Sequence, residues 1–160
     1  MRALRPESLD FLDRAPKRFH FSATLAAPPD AVFDAISGDP ASWTWFPGLS
    51  GGHYEGDPPH GVGSQRVITM GPTRYEETIL VWEAPTRWVF RVDATTAPIA
   101  RAIVEDWRVE PGRAGGSNAS WTMTMDPTPV FRVLSPLAPV VMGRLFRRAM
   151  RNLDRELAGS

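Results

Sequence analysis

Residues 135–157 read SPLAPVVMGRLFRRAMRNLDREL, and the spacing of their apolar side chains sets the architecture of the whole chain. Leu137, Val141, Leu145, Ala149 and Leu153 recur at every fourth residue, with Met142, Phe146, Met150 and Leu157 in the adjoining stripe, the pattern of one helical face. Arg144, Arg147, Arg148, Arg151 and Arg155 occupy the remaining surface and read as its solvated side. Ser135 can cap the N-terminus, Pro136 suits the first helical position, and Pro139 falls where first-turn amides lack partners. The spacing predicts a helix of about 22 residues, roughly 33 Å long. A stripe of that length must lie on a comparably large surface, which the preceding residues have to supply.

That surface reads as a sheet. Phe19, Phe21, Ala23 and Leu25 alternate with His20, Ser22 and Thr24 in the period of a half-buried strand. Pro28, Pro29 and Asp30 open a short helix over 31–37, with Val32, Phe33 and Ile36 as its buried face and Gly38 as its stop. Asp39 and Pro40 begin a second helical turn through Trp43, Trp45 and Phe46, ended by Pro47 and Gly48. Six further β-rich runs follow at 49–56, 64–70, 73–83, 87–96, 99–110 and 118–126, separated by Pro- and Gly-containing turns that imply antiparallel neighbours. The expected class is α+β: a seven-stranded antiparallel sheet curled around one long C-terminal helix, with two short helices between strands one and two. A sheet that wide exceeds what one helix covers tightly, so a cavity is expected between them. Residues 1–18 mix charges and prolines and read as an N-terminal arm or strap before a single domain over 19–158.

Composition narrows the function classes. The 18 basic and 18 acidic residues cancel, so no global field gathers nucleic acid or an anionic membrane. There is no cysteine, which excludes disulfides, thiolate metal sites and a cysteine nucleophile. The first 19 residues contain no apolar run of signal-peptide type and no transmembrane span is present, so a cytoplasmic protein without stable membrane insertion, monomer or homodimer, is expected. His53 and His60, seven residues apart, fit no zinc spacing, and Gly61-Val62-Gly63 lacks the third glycine of a dinucleotide loop. No metal and no cofactor is expected.

Alternation along the later strands assigns their inward faces. Trp88, Phe90 and Val92 share one face, Ile103, Trp107 and Val109 another, and Ala119, Trp121, Met123 and Met125 a third; the helix returns Met142, Phe146 and Met150. Aromatics and methionines in such number suit an adaptable pocket better than a core of valine and leucine. Trp43, Trp45 and Phe46 stand where a helical pair could gate its mouth, and Tyr75 faces inward from the strand at 73–83. Four charged residues are candidates within it. Arg101 and Glu105 keep phase with Ile103 and Trp107, Glu77 keeps phase with Tyr75 and Ile79, and Arg66 lies in the preceding strand. The opposite face of 73–83 (Glu76, Thr78, Leu80, Trp82) is nearly as apolar, so the register of that strand stays open. A strand-end salt bridge, or a bulge turning charges to solvent, is the structural alternative for the charged set.

The order of elements resembles the START-like (SRPBCC) superfamily with its helix-grip fold, and within it the polyketide cyclase/dehydrase branch. The resemblance rests on Pro29-Asp30-Ala31-Val32-Phe33-Asp34-Ala35-Ile36 after the first strand, Asp39-Pro40 with Trp43, Glu83-Ala84-Pro85-Thr86-Arg87 between two long strands, and the closing helix. It implies a deep apolar cavity that takes lipids, sterols, polyketides or other aromatic molecules, with no single catalytic set. Three readings follow. The first is binding of a hydrophobic, ring-containing or lipid-like molecule. The second is a cyclase or dehydratase in which Glu105 or Glu77 moves protons and Arg101 or Arg66 orients an enolate oxygen. The third is a protein-interaction module with a vestigial pocket.

Overall fold

The computed structural model describes residues 1–160, the side chain of Leu134 excepted. Along the chain run β1 (Arg2–Ala3), α1 (Phe11–Arg14), β2 (Lys17–Leu25), α2 (Pro29–Ser37), a 3-10 turn at Pro40–Ser42, β3 (Leu49–Tyr54), β4 (Gln65–Met70), β5 (Thr73–Glu83), β6 (Arg87–Thr95), β7 (Ala100–Pro111), a 3-10 turn at Arg113–Gly115, β8 (Ser117–Pro127), α3 (Pro129–Leu134) and α4 (Ala138–Ala158). Seven strands form one antiparallel sheet in the order β2-β8-β7-β6-β5-β4-β3. The chain therefore leaves one edge at β2 and re-enters at the other edge, β3. α2 and the Pro40–Ser42 turn bridge that gap, the latter capped by Asp39, whose carboxylate accepts from the Ala41 amide at 2.9 Å. Here the expected second helix through Trp43 is only a single 3-10 turn ending before it.

Helix α4 begins at Ala138, so Ser135 does not cap it; a separate helix, α3, precedes it, with the Thr128 hydroxyl accepting from the Phe131 amide. Its buried face is Gly143, Phe146, Ala149, Met150 and Leu153, whereas Leu137 and Val141 are exposed. The cause is geometric. At 3.6 residues per turn a strict every-fourth-residue row rotates by about 40° per step, so a row centred on Ala149 has left the buried face by Val141. The helix is fixed along β2, where Phe21 lies against Phe146 with ring centroids 6.1 Å apart and Gly143 lets the backbone approach the Phe21 ring. Toward its C-terminus the Asp154 carboxylate accepts from the amides of Ala26 and Ala27 at 2.9 and 3.1 Å, and Asn152 Nδ2 donates to the Trp45 carbonyl at 3.1 Å.

The first eighteen residues are built into the sheet. β6 and β7 pair only over 87–91 and 104–108. Where they part, β1 pairs with Ala94 and Thr95, and the amides of Leu4 and Arg5 donate to the carbonyls of Asp93 and Arg101, each at 2.8 Å. α1 then lays Phe11 and Leu12 on the convex face against Val81, Val89, Ala102 and Val104. This explains the two apolar faces of β5: one meets the interior and the other meets α1. A register shift between Ile79 and Val81 also turns β5, so that Ile79 and Trp82 join the inner core while Leu80 and Val81 join the outer cluster.

Phe11 is 1% exposed. Phe11→Ala is expected to lower the unfolding free energy in urea by about 3–5 kcal/mol, the range for a fully buried phenylalanine; a loss below about 1 kcal/mol would mean that the strap is only loosely attached.

Candidate functional site

The strands deliver their inward side chains to a cavity of about 260 Å³ between the sheet and the α3–α4 segment. Eight of the sequence-derived ligand contacts line it: Trp43, Phe46, Tyr75, Phe90, Trp107, Trp121, Met123 and Met142. The other five lie in the packed core. Trp45 and Trp88 are buried in the main cluster, Ile103 packs with Phe19, Val92 and Met125, and Phe146 and Met150 are pressed between α4 and the sheet. The helix contributes to both: Gly143, Phe146, Ala149, Met150 and Leu153 are its buried residues, and Met142 and Leu145 border the cavity.

Leu49, Ile68, Met70, Ile99, Met125, Phe131 and Leu145 complete the lining and were not among the sequence-derived contacts. Ile68 and Met70 follow Arg66 at the two-residue period of β4, a signal that alternation could have supplied. Leu49 starts a strand, Ile99 sits in a turn and Phe131 on a six-residue helix, positions with too little periodicity to reveal a face.

Arg66, Glu77 and Glu105 all line this cavity. Arg66 and Glu77 are direct cross-strand partners on β4 and β5, and Arg66 Nε donates to Glu77 Oε2 at 2.6 Å with both side chains buried. The guanidinium carbon lies 5.0, 4.4 and 4.8 Å from the ring centroids of Trp43, Trp88 and Phe90, so the cation is enclosed by aromatic rings. Arg66 Nη1, Trp43 Nε1 and Trp88 Nε1 are buried without a hydrogen-bond partner among the described residues. Glu105 pairs with Phe90 and Met123 in register and accepts from the Trp121 indole at 2.8 Å.

Arg101 does not join them. The register shifts between Ala100 and Ala102, so strict alternation fails there; the Arg101 side chain is 46% exposed and pairs with Asp126 at 3.7 Å. The bulge that alternation cannot see turns this charge to solvent.

Burial pushes the Glu105 carboxyl up to about 8, and the nearby Glu77 charge adds to the rise against the opposing pull of the Trp121 hydrogen bond and Arg66. Burial also raises Glu77, with Arg66 opposing it. Arg66 keeps its proton, so neutralising Glu77 would leave that charge unpaired in the interior. Tyr75 is likewise pushed up to about 12 by burial and then by Glu105 and Glu77. The cavity thus presents one compensated ion pair, one neutral carboxylic acid and apolar walls.

His60 stacks on Tyr54 with ring centroids 4.3 Å apart, and His53 pairs with Glu55 at the surface, so neither histidine reaches the cavity. Among the described residues there is no group of three His, Cys, Asp or Glu side chains placed to hold a metal ion, and no helix is long and apolar enough to cross a membrane.

A curled antiparallel sheet that grips one long helix over an apolar cavity defines a START-like domain of the helix-grip type. The chain belongs to the family described as "Polyketide cyclase / dehydrase and lipid transport", whose model matches residues 16–158. An uncharacterized protein of Mycobacterium tuberculosis is 28% identical over 158 residues, spanning 95% of this chain and 93% of that one. Among solved structures, a START superfamily protein from Mycobacterium smegmatis superposes with a TM-score of 0.72 at 12% identity, over 89% of this chain and 97% of the other. A major latex-like protein of Panax ginseng gives 0.68 at 12% identity, over 88% and 96%. At these identities the likeness to the solved structures shows the fold.

The raised Glu105 has a consequence for stability. Its ordinary value is 4.5 and its folded value about 8, so between those pH values the folded chain holds a proton that the unfolded chain releases. Stability therefore falls as pH rises through that window. Urea unfolding of wild type and Glu105→Gln at pH 5 and pH 8 should show a smaller decline in the variant. Equal declines would show that Glu105 does not hold its proton in the folded protein.

Proposed function

We propose that this chain binds one small, ring-containing apolar molecule in the cavity between its sheet and the α3–α4 segment. The observation that carries the reading is the makeup of the wall: Trp43, Phe46, Tyr75, Phe90, Trp107, Trp121, Phe131 and four of the chain's six methionines, with Arg66, Glu77 and Glu105 as its charged members. Aromatic rings give flat contact area and methionines adapt to it, a combination suited to holding a guest. A volume of about 260 Å³ lies just below the roughly 300 to 1,000 Å³ of ordinary ligand pockets, so two fused rings fit better than a sterol or a long acyl chain. A fully packed interior would favour the protein-interaction reading, and the cavity lends it no such support.

A second reading, proton transfer on a bound molecule, is favoured by the convergence of Glu105, Glu77 and Arg66 on one cavity. Glu105 would act as the acid there. Activity that depends on it would decline as pH rises through about 8.

Binding is tested by thermal unfolding with naphthalene-sized and sterol-sized hydrocarbons. The bicyclic compounds should raise the melting temperature and quench tryptophan emission, and cholesterol should do neither. Leu145→Trp, which places an indole in the cavity, should abolish the shift at a stability cost of no more than about 1–3 kcal/mol. If no apolar compound shifts melting or emission, the binding reading fails.

A further inference from the structure

The convex side of the sheet carries a second concavity, of about 400 Å³, walled on one side by the strap. The strand registers set its floor. Arg87, Arg108 and Ser120 stand opposite one another on β6, β7 and β8, and Asp106, Thr122 and His20 form the next row on β7, β8 and β2. These positions alternate with Trp88, Trp107, Trp121 and Phe21 of the inner cluster, so all six side chains share the outer face. Neighbouring strands lie about 4.8 Å apart, which brings each row within reach of one small molecule.

Two guanidiniums converge there on one carboxylate. Asp106, its side chain 7% exposed, accepts from Arg87 Nε and Nη2 at 3.2 and 3.0 Å and from Arg108 Nε and Nη2 at 3.2 and 3.1 Å. Four hydrogen bonds saturate that carboxylate and orient both forks, while Nη1 of each arginine makes no hydrogen bond among the described residues. Arg87 and Arg108 are 24% and 52% exposed, so both present surface to the groove.

Charge selects the guest. One arginine suffices to neutralise Asp106, and the second supplies a charge with no counter-ion in the protein. Arg18 adds a further cation to the groove, with Nη1 donating to the Leu12 carbonyl at 3.3 Å. On the strap, Asp10 is held by Arg14 and Ser8, whereas Asp13 has no side-chain partner among the described residues. Arg18, Arg87 and Arg108 against Asp106 and Asp13 leave one positive charge. A planar carboxylate matches a single guanidinium fork, but a tetrahedral oxyanion presents oxygens on several sides and can bridge two. About 400 Å³ is more than a bare phosphate fills and falls within the roughly 300 to 1,000 Å³ of organic-ligand pockets. Asp13, beyond the arginines, is the acceptor left for a hydroxyl.

We infer that this groove is a second binding site, for a phosphate monoester of a small hydroxylated molecule. The phosphate oxygens accept from Arg87 and Arg108, and a hydroxyl donates to Asp13. The site lies on the opposite face of the sheet from the apolar cavity and does not depend on what the cavity holds.

Calorimetric titration of the full chain at pH 7, in about 0.15 M salt to screen long-range attraction, uses ribose 5-phosphate, inorganic phosphate and ribose as probes. Ribose 5-phosphate should bind about tenfold or more tightly than inorganic phosphate, and ribose should not bind. Arg108→Gln leaves Arg87 to neutralise Asp106 and should weaken the ester about tenfold or more, as expected for a hydrogen bond to a charged donor. Asp13→Ala should bring the ester down toward inorganic phosphate. Arg148→Gln, which removes an equal charge from the exposed side of α4, should change nothing. Equal affinities for ribose 5-phosphate and inorganic phosphate would overturn the ester assignment in favour of a simple oxyanion site. Equal losses in Arg108→Gln and Arg148→Gln would overturn the site in favour of diffuse charge. Binding of ribose as tight as that of its phosphate, or no binding of either phosphate compound, would overturn it as well, and none of these outcomes touches the reading of the apolar cavity.

Discussion

One helix cannot fill the concave face of a seven-stranded sheet, and the rest of this molecule follows from how that mismatch is distributed. α4 is pressed onto β2 through Gly143 and Phe146 and tied near its C-terminus by Asp154 and Asn152. Close packing is therefore concentrated around Ala149, Met150 and Leu153, which are essentially inaccessible. What the helix cannot reach is the other flank, where β4 and β5 turn away from it. The void forms there, bordered by Met142 and Leu145 from the helix and closed by α3 and the Trp43–Phe46 connection.

Into that void the β4–β5 pair places Arg66 and Glu77, and β7 adds Glu105. Such a cluster is poor value as a stabilising device. A buried ion pair gains little over apolar residues of the same shape, whereas loss of one partner costs about 3–5 kcal/mol. The rings of Trp43, Trp88 and Phe90 around the guanidinium offset part of its desolvation. The Trp43 and Trp88 indole nitrogens and Arg66 Nη1 have no hydrogen-bond partner among the described residues. Local consistency between burial and polarity is thus broken at the wall of the cavity and in the core beside it, the neighbourhood where a functional site is expected to break it.

Much of the fold was legible because two periodicities were strong. The two-residue alternation of β2, β6 and β8 assigned inward faces whose side chains do gather in the two inner clusters, and the four-residue recurrence in 137–153 identified the long helix. Errors arose where a local irregularity interrupts a period. A bulge at Arg101 moves that side chain outward, and a shift near Leu80 exchanges the faces of β5 halfway along. The rotation of a four-residue row around α4 exposes Val141 and Leu137. The seat of the strap on the sheet was unreadable for a different reason: β1 is two residues long and α1 four, too short to show any period, and their placement depends on β6 and β7 parting. At the site, phase could say which side chains point inward, but not which inward ones meet helix and which meet space. That distinction, between Phe146 and Leu145 or between Trp88 and Phe90, depends on where a rigid cylinder touches a curved sheet.

Selectivity at such a cavity follows from its two unlike parts. Met70, Met123, Met125 and Met142 let the wall adapt to guests of different outline, and one methylene more or less in an apolar pocket changes affinity by only about 1–3 kcal/mol. Shape alone therefore discriminates weakly. The donors are different. Arg66 is fixed on β4 by its pairing with Glu77, and a site built to donate hydrogen bonds rejects a guest without an acceptor far more strongly than it rejects one of the wrong size. A ligand that satisfies them also binds only the folded chain, stabilising it by about 2.7 kcal/mol at a hundred times its dissociation constant. The cluster that weakens the unliganded fold is then the part of the molecule through which a ligand strengthens it.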